Sequence, residues 1–89
     1  MIRREVILCN RLGLHARAAS KLVQIASDYP AQVWVVRDER RVNAKSIMGV
    51  LLLAAPCGTE LVLEAEGDQA DEAIEALVEL INERFGEAE

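Results

Sequence analysis

The sequence predicts an α+β fold: a four-stranded, mainly antiparallel sheet carrying three helices on one side, in the order βαββαβα, within a single domain spanning residues 1–89. Three observations predict it. Stretches whose apolar residues recur every second position alternate with stretches that repeat every three to four. The clearest strand has a charged second face, which leaves one side of the sheet to solvent. Neither an internal repeat nor a Gly/Pro/Ser-rich linker interrupts the 89 residues.

The elements follow in order. From Ile2 to Leu8, Ile2, Val6 and Leu8 share one face and Arg3 and Glu5 the other, as in a half-buried strand. Asn10-Arg11-Leu12-Gly13 supplies turn chemistry. Between Ala16 and Asp28, Arg17, Ser20, Lys21, Gln24 and Ser27 fall opposite Ala18, Ala19, Leu22, Val23, Ile25 and Ala26, which predicts an amphipathic helix halted before Pro30. Gln32–Arg37 is rich in β-branched residues, and the charged link Asp38-Glu39-Arg40 joins it to Arg41–Ala44 as a hairpin. The apolar run Ile47–Leu53 suits a strand or a short buried helix. Ser46 at its head favours the helix, since a serine hydroxyl accepts from an unpaired first-turn amide. Pro56-Cys57-Gly58 ends that run. From Thr59 to Glu66 the alternation sends Leu61, Leu63 and Ala65 inward and Glu60, Val62, Glu64 and Glu66 to solvent. Gly67-Asp68 predicts a turn with Asp68 as N-cap. Ala70, Ala73, Ile74, Leu77, Val78, Ile81 and Phe85 form the stripe of a last helix that Gly86 stops, and Glu87-Ala88-Glu89 reads as a frayed tail.

Composition narrows the function. The chain is 52% hydrophobic and 28% charged, which fits a packed core rather than a disordered segment. Ten Lys and Arg against fifteen Asp and Glu, with 3% aromatics, provide neither a basic field nor stacking rings for nucleic acid. No apolar run approaches the roughly 18 residues of a membrane span, so a cytoplasmic location is expected. Cys9 and Cys57 lie far apart without a CxxC motif, so both are expected as reduced thiols, with no zinc or redox site. Glu64, Glu66, Glu72, Glu75 and Glu79 read as solvated faces with no histidine near them; no metal and no cofactor are expected. No long apolar seam demands a dimer, and a monomer is expected.

The only histidine, His15, stands between the glycine turn and the first helix, where several backbone N–H groups lack an acceptor and attract anions. Arg17 adds a planar cationic fork suited to phosphate oxygens. A helix N-terminus disfavours the protonated imidazole and so keeps a nucleophilic nitrogen available. Spacing alone fits equally well a histidine that merely occupies the cap and an arginine that is merely solvated.

The wording of two segments goes further. Asn10-Arg11-Leu12-Gly13-Leu14-His15-Ala16-Arg17-Ala18-Ala19 and Asn43-Ala44-Lys45-Ser46-Ile47-Met48-Gly49-Val50, at a compatible separation, resemble the HPr family, the histidine-containing phosphocarriers of the phosphoenolpyruvate-dependent phosphotransferase system. The resemblance covers essentially the whole chain. It implies an open-faced β-sandwich and a carrier, not an enzyme. His15 would accept a phosphoryl group on Nδ1 from enzyme I, charged by phosphoenolpyruvate, and pass it to a IIA-type acceptor. Arg17 and the helix-start amides would steady the transferring oxygens. Ala18 departs from the proline usual at that place, which bears on the rigidity of the first turn. Ser46 matches the serine modified by the HPr kinase/phosphorylase in some branches. By the same analogy Ile47, Met48 and Leu51 are a docking surface near His15, with Ser20 and Gln24 on its rim.

Other classes are weighed beside it. A purely regulatory module, switched by phosphorylation at Ser46 or His15, would use the same face. An independent hydrolase lacks a paired carboxylate and a phosphate loop. A ferredoxin-like plait that reads RNA needs aromatics on its sheet, whereas the chain offers only Tyr29, Trp34 and Phe85; strand order separates the two folds.

Overall fold

The computed structural model describes residues 1–89. Its elements are β1 (Ile2–Ile7), α1 (Ala16–Ser27), β2 (Gln32–Arg37), β3 (Arg40–Asn43), α2 (Ile47–Leu52), β4 (Glu60–Glu66) and α3 (Ala70–Asn82). The strands lie in the order β1-β4-β2-β3, every neighbouring pair antiparallel. This is the expected α+β, open-faced arrangement, with β1 and β3 at the edges.

Period two fixes which strand residues face the helices. Val6, Val33, Val35, Leu61, Leu63 and Ala65 are buried on the inner face, and Leu8 is buried just beyond β1. They meet Ala18, Ala19, Leu22 and Ala26 of α1, Val50 of α2, and Ala73, Ile74, Leu77 and Ile81 of α3. Ser46 caps α2 as expected, its Oγ accepting from Gly49 N–H at 3.1 Å.

Four local features differ from the sequence reading. The hairpin turn is tighter: Arg37 pairs with Arg40, so Asp38 and Glu39 alone form the turn and Arg40 opens β3. Asp38 takes φ +53°, a conformation Asp tolerates. The flanking arginines then cap the C-terminus of α2. Arg37 donates to Leu53 O at 2.7 Å and Ala54 O at 3.0 Å, and Arg40 to Leu52 O at 2.9 Å.

At the start of α3 the N-cap is Gln69, at φ +63°, not Asp68. Asp71 and Glu72 in the first turn complement the helix dipole there. At its other end α3 stops at Asn82, three residues before Phe85. Arg84, Phe85 and Gly86 instead make a left-handed turn at φ +57°, +55° and +78°. Phe85 is still fully buried, so the stripe predicted its burial while the helix did not extend to it.

The fourth difference concerns Glu64, which alternation sends to solvent but which is buried. Its Oε2 accepts from Arg3 Nε at 2.9 Å and its Oε1 from Arg41 Nε at 2.8 Å. The Arg41 guanidinium also lies 3.9 Å from the Trp34 ring centroid, so the cluster crosses all four strands. Glu75 likewise pairs with Arg4 of β1. The Arg41 fork, helped by Arg3 and opposed by burial, holds the Glu64 carboxyl below its ordinary 4.5. A carboxylate with a depressed folded pKa adds stability that is present above its unfolded pKa and lost as pH falls through the folded one. Chemical denaturation across a pH series should therefore show a loss of stability below pH 4.5. Glu64→Gln should flatten that loss; an unchanged slope would assign it to other carboxylates.

Candidate functional site

The site begins with a turn that only glycine can complete. Gly13 N–H donates to Asn10 O at 3.1 Å, and Leu14 N–H ties the turn to Ala55 O at 2.9 Å. Gly13 sits at φ +68°, and a Cβ there would lie 2.3 Å from Ala55 O. The fully buried Asn10 side chain braces the turn from within, its Nδ2 donating to Gly13 O at 2.8 Å.

This turn delivers His15 to the N-cap of α1 in an extended conformation, φ −78° and ψ 177°. The first intrahelical bond runs from Ala19 N–H to His15 O, so the amides of residues 16–18 have no acceptor within the helix. The imidazole makes no cap bond of its own. It is 28% exposed, and its one hydrogen bond is between Nε2 and Glu87 Oε2. Arg17 is exposed and forms no ion pair. Ala18 is fully buried.

Glu87 was not expected here. Residues 87–89 do not fray; they fold across the His15 turn. Asn10 Nδ2 donates to Glu87 Oε1 at 3.0 Å, Arg11 N–H donates to Glu89 O at 2.9 Å, and Arg11 Nε pairs with the Glu89 carboxylate at 2.9 Å. Lys21 Nζ fastens the start of the tail by donating to Phe85 O at 2.6 Å. Burial would push the Glu87 carboxyl up, but the Asn10 amide and the His15 ring outweigh it and hold the group below its ordinary value. The one sequence signal for this docking is Phe85 followed by Gly86: an apolar anchor, then a residue that lets the chain reverse.

Together Arg11, Leu12, His15, Arg17 and the tail line an open concavity of about 470 Å³. Arg11 is neutralised by Glu89, which leaves Arg17 and the acceptorless amides as the free positive groups beside the imidazole. Such a site can take a tetrahedral oxyanion next to a nucleophilic nitrogen. A second concavity of about 530 Å³ between β1, β4 and α3 is lined by Arg4, Ile7, Cys9, Val62 and Val78 and gathers no comparable cationic cluster.

The other candidate residues lie outside the His15 concavity. Ser20 is half-buried and Gln24 exposed on α1. On α2, which packs against α1, Ile47 is 43% and Met48 74% exposed. Leu51 is half-buried against the core, and Leu52, one helical turn from Met48, is 62% exposed instead. Leu12, beside the His15 turn, is 56% exposed. Leu12 and Leu52 were missed by the sequence reading, although the i, i+4 spacing from Met48 to Leu52 was available to it.

Cys9 and Cys57 are free thiols, and no three His, Cys, Asp or Glu side chains converge as metal ligands. No helix is long and apolar enough to cross a membrane.

Comparison with known proteins gives the family and the fold. Residues 2–83 match the family described as PTS HPr component phosphorylation site. The phosphocarrier protein HPr of Pseudomonas aeruginosa is 58% identical over 86 residues, covering 96% of each chain. That of Neisseria meningitidis serogroup B is 48% identical over 89 residues, the whole of both chains. The crystal structure of HPr-C-His from Thermoanaerobacter tengcongensis superposes with a TM-score of 0.96 at 47% identity, covering 100% of each chain. The chain belongs to the HPr family of phosphocarriers of the phosphotransferase system.

Proposed function

We propose that His15 accepts a phosphoryl group from enzyme I, charged by phosphoenolpyruvate, and hands it to a IIA-type acceptor. The observation that carries this reading is that the imidazole and the unpaired Arg17 line one concavity at the N-terminus of α1, whose first amides have no acceptor within the helix. A ring nitrogen attacks phosphorus and forms the N–P bond. The donor's bond to phosphorus breaks and its electron pair stays on the donor. Charge on the three peripheral oxygens is met by Arg17 and the amides, which is the positioning that phosphoryl transfer requires. The protein thus works as a carrier with partner enzymes, in the cytoplasm and as a monomer.

The test is intact-mass spectrometry after incubation with phosphoenolpyruvate, magnesium and enzyme I. One acid-labile phosphate per chain is expected. A folded protein left unlabelled, while a control carrier in the same tube is labelled, would overturn the proposal.

Ser46 is proposed as a regulatory site for HPr kinase/phosphorylase. Its hydroxyl is already engaged with Gly49 N–H, so a phosphate here would remain at a helix N-terminus and gain from the dipole. It would also bring close to two negative charges to the α2 face, where the exposed Ile47, Met48 and Leu52 support docking of enzyme I and the acceptor, with Leu12, Ser20 and Gln24 toward its rim. Ser46→Asp should keep the fold and take phosphate from enzyme I several-fold more slowly; equal rates in a quenched-flow time course would refute the regulatory role.

A further inference from the structure

The carboxylate set against the imidazole has a role that the carrier reading does not supply. We propose that Glu87 is a positioning residue that keeps the His15 proton on Nε2 and so presents Nδ1 as the nucleophile; this rests on His15 being the phosphoryl acceptor. A carboxylate only accepts, so in the neutral ring the hydrogen shared by Nε2 and Glu87 Oε2 belongs to Nε2. The lone pair is then on Nδ1, which has no protein partner. The same logic fixes a histidine tautomer wherever a buried carboxylate holds one ring nitrogen.

Glu87 is itself held from two directions. Its Oε1 accepts from Asn10 Nδ2. That amide cannot be turned without loss, because both of its partners, Glu87 Oε1 and Gly13 O, are acceptors. On either side of Glu87 the chain is fastened by Lys21 to Phe85 O and by Arg11 to Glu89. The charged groups around the ring are therefore Glu87 against Nε2, the free Arg17, the Arg11–Glu89 pair, and Lys21 engaged by Phe85 O.

In transfer, the Nδ1 lone pair forms the N–P bond and the donor retains the pair from the bond it loses. The ring becomes a phosphoimidazolium that still carries its Nε2 proton, with Glu87 as counter-charge. When the next acceptor attacks, the N–P pair returns to Nδ1. The same proton stays on Nε2 through both steps, so neither needs a separate base.

The experiment uses the unphosphorylated, full-length protein and reads the tautomer from long-range ¹H–¹⁵N correlations of the His15 ring at neutral pH. The parent should show a protonated, pyrrole-type Nε2 and an unprotonated, pyridine-type Nδ1. Glu87→Gln offers an acceptor to only one of its two donor neighbours, so the Nδ1 and Nε2 shifts should move toward each other and phosphate uptake should slow several-fold. A proton on Nδ1, or on both nitrogens, in the parent would overturn the proposal without any variant. So would a folded Glu87→Gln protein with unchanged ring shifts. No phosphate enters the spectroscopic arm, so failure here is distinct from failure of His15 to accept phosphate.

Discussion

His15→Ala is expected to lose phosphate uptake completely while remaining folded. The chain has one histidine, so no second imidazole can take over. The loss of stability should be small, because the ring is partly exposed and makes no cap bond to α1. The usual N-cap penalty of about 1 kcal/mol arises from such a bond. What the variant loses is the nitrogen on which the phosphoryl group would rest between donor and acceptor, and Arg17 and the helix amides cannot provide a replacement. Intact masses of parent and variant from the same reaction, beside their thermal melts, give both halves of the result. A phosphate retained by the variant would mean that a hydroxyl, Ser46 foremost, is the acceptor.

Phe85→Ala should cost about 3–5 kcal/mol, the range for removing a large buried aromatic side chain. The ring is fully buried although the chain has already left α3. Its burial offsets the left-handed conformation of Arg84 and Phe85, which costs on the order of 1–2 kcal/mol per residue without glycine. Without the ring, that turn has little reason to persist. The tail beyond it should then leave the His15 turn, taking Glu87 from Nε2. Urea denaturation measures the stability loss, and protease sensitivity of residues 86–89 reports the release. A loss under about 1 kcal/mol would mean that the Lys21 and Arg11 contacts, not the ring, anchor the tail.

What could be read from sequence follows the range of the interactions. Strand and helix faces repeat within a few residues, so the inner residues of β4 and the stripe of α1 were legible, as was the Ser46 cap, whose partner is three residues away. His15 and Arg17 were legible because a glycine turn leading into a helix is local chemistry. Glu64 and Glu87 were not, since Arg3 lies 61 residues from the first and His15 72 from the second. Alternation assigns Glu64 to the correct sheet face but carries no information about two arginine side chains closing over it. Phe85 shows the complementary limit: apolar spacing predicts burial, and a backbone reversal satisfies it as well as another helical turn would. On α2 the apolar run hid its own outward face, so Leu51 stood where Leu52 is the more exposed.

The edge position of β1 has a consequence for how the protein comes into being. Ile2 lies opposite Ala65, Leu8 exchanges bonds with Gly58 and Thr59, Leu14 is tied to Ala55, and His15 meets Glu87. During synthesis β1 and the long-range ties of the His15 turn therefore wait for their partners, while α1 and the β2–β3 hairpin can already form from nearby contacts. Closing loops of this length is entropically costly and makes for slow late steps. The histidine is made early, but the contacts that hold its turn and its ring, Leu14 to Ala55 and Nε2 to Glu87, close only after those distant residues have been made, so a growing chain has Arg17 and the α1 amides in place before its imidazole is oriented.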